Sequence, residues 1–234
     1  MKKGLSILML AYNEEENLKR VIPEVQEALA HVEYEYEILV VDTQVPTDAT
    51  EEVCRKYGVR YFNQKYPGFG GAFRTGIENI RYDRMLTIDS DGAHPPAAIP
   101  AIVKMHDTGD YDVVIGSRYV KGGGTHDPWI NVLMSKVLNG TYGIVFGIPA
   151  KDISTNFRIY YSEDIIGIPL ECINYDVLQE ILIKCKIKKG SLRVGETPIV
   201  LRERICGESK RQLFKFIKSY ISTLIKLRKM ERRA

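Results

Sequence analysis

The chain has 234 residues, 44% hydrophobic and 27% charged, which supplies enough apolar side chain to bury a core in one large or two small domains. No uninterrupted apolar run approaches the ~18 residues of a membrane-crossing helix, and Met1-Lys2-Lys3-Gly4 leads into a strand-like run rather than a secretory leader. Four scattered cysteines (Cys54, Cys172, Cys185, Cys206) form no Cys-x-x-Cys pair, which speaks against a disulfide framework or a zinc site and for reduced thiols in the cytosol. The net charge of +3 is uneven: residues 208–234 hold nine Lys or Arg against two Glu, a net +7, whereas the preceding residues are at −4.

In chain order, the first half alternates strand and helix signals. Leu5 to Ala11 is a strand-like run. Glu14 to Ala30 has helical spacing at Leu18, Val21, Ile22, Val25, Ala28 and Leu29, with acids in its first turn. Glu37 to Val41 is a second strand ending at Asp42. Asp48 is placed to N-cap a helix that runs to Tyr57 and stops at Gly58. Val59 to Phe62 is a short strand, and Gly68-Phe69-Gly70-Gly71 opens a helix to about Ile80. Arg84 to Ile88 is the next strand. Pro96 starts a helix reaching Met105, and Tyr111 to Ile115 is a strand ending in Gly116-Ser117-Arg118. This alternation predicts an α/β, three-layer fold around a mostly parallel sheet.

The second half is less regular. Lys121 to Gly124 is a glycine loop, Pro128 to Phe146 reads as helix, and Phe157 to Tyr161 alternates like a strand. Tyr175 to Lys186 is helical. Leu192 to Leu201 is extended, with Pro198 marking an edge or a bulge. No linker or repeat interrupts the chain, so residues 1–207 read as one domain and residues 208–234 as a basic helical tail.

Four polar loops fall at strand ends: Ala11-Tyr12-Asn13-Glu14, Asp42, Asp89-Ser90-Asp91 and Gly116-Ser117-Arg118. Ligands of open α/β sheets bind outside the carboxyl ends of the strands. Two carboxylates one residue apart at such an end can hold a divalent cation against a diphosphate; a solvated turn that caps the next helix is the plainer alternative. Tyr12 is placed to cover a base or ribose, and Asp42 to accept a hydrogen bond from the base. Equally, Tyr12 and Glu14 can do no more than start the first helix. Gly68 to Gly71 either approaches phosphates through backbone N–H groups or lets helix and sheet pack closely. It is neither a P-loop, since no Gly-Lys-Ser/Thr follows, nor a dinucleotide fingerprint, since it does not open the first strand–helix turn. Arg118, Lys121, Arg202, Arg204 and Lys210 are candidate phosphate ligands, with Arg204-Ile205-Cys206-Gly207-Glu208-Ser209-Lys210 the most suggestive cluster.

Further pieces complete an ordered set. They are Ala11-Tyr12-Asn13-Glu14-Glu15, Val41-Asp42, Gly70-Gly71-Ala72-Phe73-Arg74-Thr75-Gly76, Asp89-Ser90-Asp91 before His94-Pro95-Pro96, and Gly116-Ser117-Arg118-Tyr119-Val120-Lys121-Gly122-Gly123. After these come Asp152 with Thr155 and Phe157-Arg158, then Glu180, Pro198-Ile199-Val200, and Arg204 with Gly207-Glu208-Ser209-Lys210. Taken together they resemble the inverting family 2 glycosyltransferases of the GT-A fold, and within them the dolichol-phosphate mannose synthases and related polyprenyl-phosphate glycosyltransferases.

The resemblance implies a GT-A (Rossmann-like) fold and a hexose transfer from a nucleotide diphosphate sugar, GDP-mannose first and a UDP-sugar as the alternative, to a polyprenyl or dolichyl phosphate. Ala11, Tyr12, Glu14, Asp42, Asp89 and Ser90 are then expected around the donor nucleotide. Asp89 and Asp91 are expected to hold Mg²⁺ or Mn²⁺. Arg118, Ser135, Arg204, Ser209 and Lys210 are expected on donor or acceptor phosphates, with Asp91, Arg118 and Asp152 as the catalytic set. The chain departs from the family's pattern at Thr43, where a second acid usually follows Asp42, and at Gln44-Val45-Pro46, where Gly-Ser usually follows. It departs again at Ala93, which replaces a frequent Gln, and at Asn131, which replaces a frequent Arg. A transferase with a non-lipid acceptor, or a non-catalytic membrane-associated scaffold, are the rival readings these departures leave.

The tail spaces Leu213, Ile217, Tyr220, Leu224 and Leu227 on one helical face and adds Lys215, Lys218, Lys226, Arg228 and Lys229. A basic amphipathic helix of this kind can lie on an anionic bilayer, or dock its apolar face on the catalytic domain. With no spanning segment, the expectation is a peripheral protein at the cytosolic membrane face. A homo-oligomer through the wide apolar stripe is an open possibility, and no nucleic-acid partner is expected.

Overall fold

A computed structural model describes residues 1–202 and 213–233, without the side chains of 213–218. The elements run β1 (Lys2–Leu10), α1 (Glu15–Leu29), β2 (Tyr36–Asp42), α2 (Thr50–Lys56), β3 (Arg60–Asn63), α3 (Gly68–Asn79) and β4 (Tyr82–Thr87). A 3-10 turn (Pro96–Ala98) then leads into α4 (Ile99–His106), followed by β5 (Val113–Ser117), β6 (Gly124–Thr125), α5 (Trp129–Phe146) and β7 (Arg158–Tyr161). Last come α6 (Ser162–Ile165), α7 (Val177–Lys189), β8 (Val194–Pro198), β9 (Val200–Leu201) and α8 (Leu213–Glu231).

The main sheet has the order β3-β2-β1-β4-β7-β5-β8. All its neighbours pair in parallel except β7, which lies antiparallel between β4 and β5. The mostly parallel expectation therefore holds. The reversal of β7 has a consequence for the site: its leading loop, residues 152–156, starts at the sheet edge where β1, β4 and β5 end. Pro198 closes β8, the edge strand, where a missing N–H costs no internal ladder bond.

Alternation along β1 and β2 sends side chains to two apolar layers. Leu5, Ile7, Met9, Ile38 and Val40 pack with α1, α2 and α4 on one face. Leu8, Leu39, Val41 and Met85 pack with α3, α5, α7 and α8 on the other. All six apolar positions that define the period of α1 are buried. The residue at the N-cap of α2 is Ala49 rather than Asp48. Asp48 still serves the helix ends: its carboxylate accepts the N–H of Thr50 at 3.1 Å and that of Glu15 at 3.0 Å, while Glu15 Oε2 accepts the N–H of Ala49 at 3.2 Å. This reciprocal pair ties the start of α1 to the start of α2. Gly58 ends α2 at φ +68°, a left-handed conformation that glycine adopts without a Cβ penalty.

Helix α8 lies over α7. Tyr220 and Leu227 are buried in the second apolar layer with Leu224 against them, Tyr142 Oη donates to Tyr220 O at 2.8 Å, and Thr223 Oγ1 donates to Asp176 at 2.6 Å. This cover explains why α7 is buried on nearly every side, with Glu180 and Lys184 paired at 2.7 Å inside it. Of the two tail alternatives, docking accounts for the Tyr220–Leu224–Leu227 side, whereas Ile221 and Ile225 face outward. The proposed boundary at residues 207/208 lies outside the described residues. Cys54, Cys172 and Cys185 are free thiols. Among the described residues no helix is long and apolar enough to cross a membrane.

Candidate active site

Strand β4 delivers Asp89, Ser90 and Asp91 to the carboxyl edge of the sheet. The Asp89 N–H donates to His94 Nδ1 at 3.1 Å, which makes that nitrogen the acceptor and leaves the proton of the neutral ring on Nε2, 3.1 Å from Thr155 Oγ1. His94 is buried and stacks on Phe157 with ring centroids 5.2 Å apart. Asn156 Nδ2 donates to Asp89 Oδ1 at 2.7 Å. Gly92, at φ +78°, turns the loop so that Asp91 Oδ1 accepts the Ala93 N–H at 3.0 Å. Ser90 Oγ donates to Leu10 O at 2.7 Å and so locks this loop to the end of β1.

The predicted first loop sits beside this pair. Ala11, Tyr12, Glu14, Asp89, Ser90 and Asp91 all line one cleft of about 740 Å³, together with Thr43, Asp48, Gln64, Phe69 and Tyr175. Tyr12 stands at its rim, half exposed. Asp42 is not on the wall: it is 1% exposed and accepts the Thr43 N–H at 2.7 Å and the Tyr61 hydroxyl at 3.0 Å. Burial raises the Asp42 carboxyl above its ordinary range, and those two hydrogen bonds only partly offset the effect. Among the described residues, no Lys or Arg lines the cleft, while Glu14, Glu15, Glu16, Asp48, Asp89 and Asp91 do.

The end of β5 carries a second polar cluster. The Arg118 guanidinium binds Asp152 through Nε and Nη2, both at 2.8 Å, and its backbone N–H adds a third bond at 3.0 Å. Nη2 also reaches Ser135 Oγ at 3.1 Å and Ser154 Oγ at 3.0 Å. Nη1 meets Asp127 at 3.6 Å. Burial pushes the Asp152 carboxyl up, but Arg118 outweighs it and holds the group below the usual carboxylate range. Glu196 of β8 fixes the backbone beneath, accepting the N–H groups of Lys151 at 2.9 Å and Asp152 at 3.0 Å. Arg118, expected both in the catalytic set with Asp152 and on phosphates with Ser135, thus joins the two in one hydrogen-bonded cluster around the buried Asp152.

In the glycine-rich stretch Gly68 lines the cleft, while Gly70 packs closely against a loop rather than the sheet. A Cβ on Gly70 would lie 1.8 Å from Cys172 O, and the Gly70 N–H is taken by Ile173 O at 2.9 Å. Glu180 accepts the N–H groups of Glu171 and Cys172 and so holds the loop that presses on Gly70. Arg202 pairs with Glu24 at 2.7 Å, and Lys121 is exposed. Arg204, Ser209 and Lys210 lie outside the described residues. The backbone leading to them leaves from the site, since the Arg202 N–H donates to Ala93 O at 2.8 Å.

The chain matches Glycosyl transferase family 2 over residues 6–175. The chain belongs to glycosyltransferase family 2. It is 33% identical over 234 residues to the dolichol-phosphate mannosyltransferase of Pyrococcus furiosus, covering 97% of this chain and 64% of that protein. To the polyprenol monophosphomannose synthase of Mycolicibacterium smegmatis it is 29% identical, over 87% of this chain and 79% of that one. The GT-A fold is shared with glucosyl-3-phosphoglycerate synthase of Mycobacterium tuberculosis, solved with Mn²⁺, UDP and glucosyl-3-phosphoglycerate, at a TM-score of 0.74 and 20% identity over 96% of this chain and 80% of that one. The family 2 chain thus spans 64% of the length of the Pyrococcus relative.

Four residues bonded to the candidate carboxylates or their backbone carry no role in the sequence reading: His94, Asn156, Tyr61 and Glu196. His94 was visible only as part of a motif. A lone Asn before a strand, a Tyr within one and a Glu on an edge strand carry no local pattern that sets them apart.

Proposed function

We propose that this chain transfers a hexose, with inversion, from a nucleotide diphosphate sugar to a polyprenyl or dolichyl phosphate at the cytosolic face of a membrane. GDP-mannose is the first-choice donor, and a UDP-sugar the alternative. The observation that carries this reading is the cleft itself. It joins two strand-end carboxylates to a nucleotide-sized space in which no described cation faces a diphosphate. In this reading a divalent cation would offset the charge of Asp89 and Asp91 toward a diphosphate. The donor set suits that cation: two hard carboxylates, with both His94 ring nitrogens already engaged, fit Mg²⁺ or Mn²⁺ better than zinc. Both relatives above are named for dolichol- or polyprenol-linked mannose transfer.

In this reading Asp89 and Asp91 hold the cation, which supplies charge neutralisation for the leaving nucleoside diphosphate. Ala11, Tyr12, Glu14, Thr43 and Gln64 line the space for nucleoside and ribose. The acceptor phosphate oxygen is already anionic near neutral pH, so it attacks the anomeric carbon without a strong base, and alignment is the remaining task. Asp152, saturated by Arg118, is a positioning residue. Arg118 keeps Nη1 for the acceptor phosphate, which displaces the loosely held Asp127. Arg204, Ser209 and Lys210 follow the strand that leaves beside Ala93 and add phosphate contacts.

Membrane contact is assigned to α5 and the outer side of α8. Within its 18 residues α5 has one charged side chain, Lys136, and it exposes Trp129, Ile130, Leu133, Val137 and Ile144. Exposed Ile221 and Ile225 on α8 stand among Lys226 and Lys229, a pattern that suits an anionic bilayer surface.

The test is a transfer assay with purified protein, a short polyprenyl phosphate and a panel of GDP- and UDP-sugars, with Mg²⁺ or with EDTA. One donor should give a chelator-sensitive glycolipid, and Asp91→Asn should remove nearly all of it without unfolding the protein. An active Asp91→Asn enzyme sinks the cation assignment. No product and no nucleotide binding with any donor would turn Thr43, Ala93 and Asn131 into evidence for a scaffold.

A further inference from the structure

We infer that Asn156 is the positioning residue for Asp89, and that the cation affinity of this site depends on its carboxamide. The inference rests on the reading of Asp89 and Asp91 as cation ligands. Among the described residues no group of three His, Cys, Asp or Glu is placed to hold a metal, and Ala93 adds no side-chain ligand. A two-carboxylate site gains affinity chiefly from how rigidly the two groups are held before the cation arrives.

Asn156 supplies that rigidity from the opposite strand. The antiparallel register sets Thr87 against Arg158, which brings Asn156 alongside Asp89, 67 positions away in the chain. Its backbone is pinned: Thr87 Oγ1 donates to Asn156 O. The turn before it is pinned as well, since the fully buried Arg158 donates to Thr155 O at 2.9 Å and Ile153 O at 3.1 Å. From this support the Nδ2 group donates to Asp89 Oδ1 at 2.7 Å. The donor is neutral, so it orients the carboxylate without cancelling the charge a cation needs; a Lys or Arg there would compete with the cation. Asn156 Oδ1, in contrast, is buried and has no hydrogen-bond partner among the described residues.

The experiment titrates Mn²⁺, read by electron paramagnetic resonance, into the full chain with GDP or UDP present. It compares the wild type with Asn156→Ala and with Asn156→Leu, which preserves side-chain volume and removes the donor. Melting temperature and metal-free nucleotide affinity are measured alongside. The expected result is a loss of Mn²⁺ affinity on the order of 10- to 100-fold in both variants, with the other two readouts at wild-type values. Wild-type Mn²⁺ affinity in either variant overturns the inference. So does a parallel fall in melting temperature and metal-free nucleotide binding, which makes Asn156 a structural residue. A wild type that binds no Mn²⁺ refutes the cation site itself, a separate failure from a wild type and variants that bind it equally.

Discussion

At Asp152, burial and charge act in opposite directions, and charge prevails. The carboxylate is fully buried, yet its bonds to Arg118 and the smaller contribution of Ser154 keep it ionised. Removing the charge while keeping the shape, as in Asp152→Asn, leaves the Arg118 guanidinium with only the more distant Asp127, 3.6 Å from Nη1, as counter-ion, and we expect a loss on the order of 3 kcal/mol in denaturant unfolding. The sign with pH follows from the lowered carboxyl. The stabilisation is complete above the unfolded-state value of roughly 4 and drains away as pH falls through the folded-state value below it. Wild type and Asp152→Asn should therefore converge in strong acid, and a gap that is constant with pH would contradict the pairing. Both residues were legible in the sequence as polar candidates. Their union was not, because 34 positions separate them and only the sheet brings β5 to the loop before β7.

Elements carry their own titration. His106 closes α4, fully buried, with its ring 4.3 Å from that of Tyr161. Burial, and behind it the Arg84 guanidinium, lowers its pKa to about 4. A histidine that stays neutral in the fold and protonates when unfolded stabilises fully above about pH 6.5. As pH falls from there to about 4 the unfolded chain takes up the proton first, and roughly 3 kcal/mol is lost. In His106→Phe, which keeps a ring against Tyr161, unfolding curves at a series of pH values should lose this slope; an unchanged slope would place the acid sensitivity elsewhere. Element positions themselves were well read. The period of α1, the stop at Gly58 and the break at Pro198 are local properties of short stretches of sequence. The glycine-rich start of α3 was ambiguous for the converse reason: what presses on Gly70 is Cys172, which no local pattern announces.

On the scale of the whole molecule, the apolar surface left uncovered decides where a membrane can lie. The tail, read as a helix that either lies on lipid or docks on the catalytic domain, spends Tyr220, Leu224 and Leu227 on covering α7, and among the described residues the long apolar row that stays exposed belongs to α5. Trp129 begins that helix, 75% exposed, and is the only tryptophan in the chain. Its emission therefore reports on α5 alone. With vesicles containing anionic lipid we expect a blue shift of Trp129 fluorescence, weakened by added salt and by Leu133→Asp with Val137→Asp. Binding of vesicles without any change in Trp129 would move the contact to another surface.

What the sequence by itself determined is what short-range periodicity and residue chemistry can encode: the alternation of strand and helix, the parallel three-layer arrangement, and two carboxylates waiting at a strand end. The tertiary structure decided what depends on partners far apart in the chain. The reversal of β7 set Asn156 and Thr155 against the β4 end, Arg118 closed on Asp152, Asp42 was buried and bonded to Tyr61, and α8 laid its Tyr220–Leu224–Leu227 side over α7. The reason is physical: a strand's pattern of side chains specifies which face is buried, but not which strand it pairs with or in which direction. Those choices are made by the packing of the whole sheet.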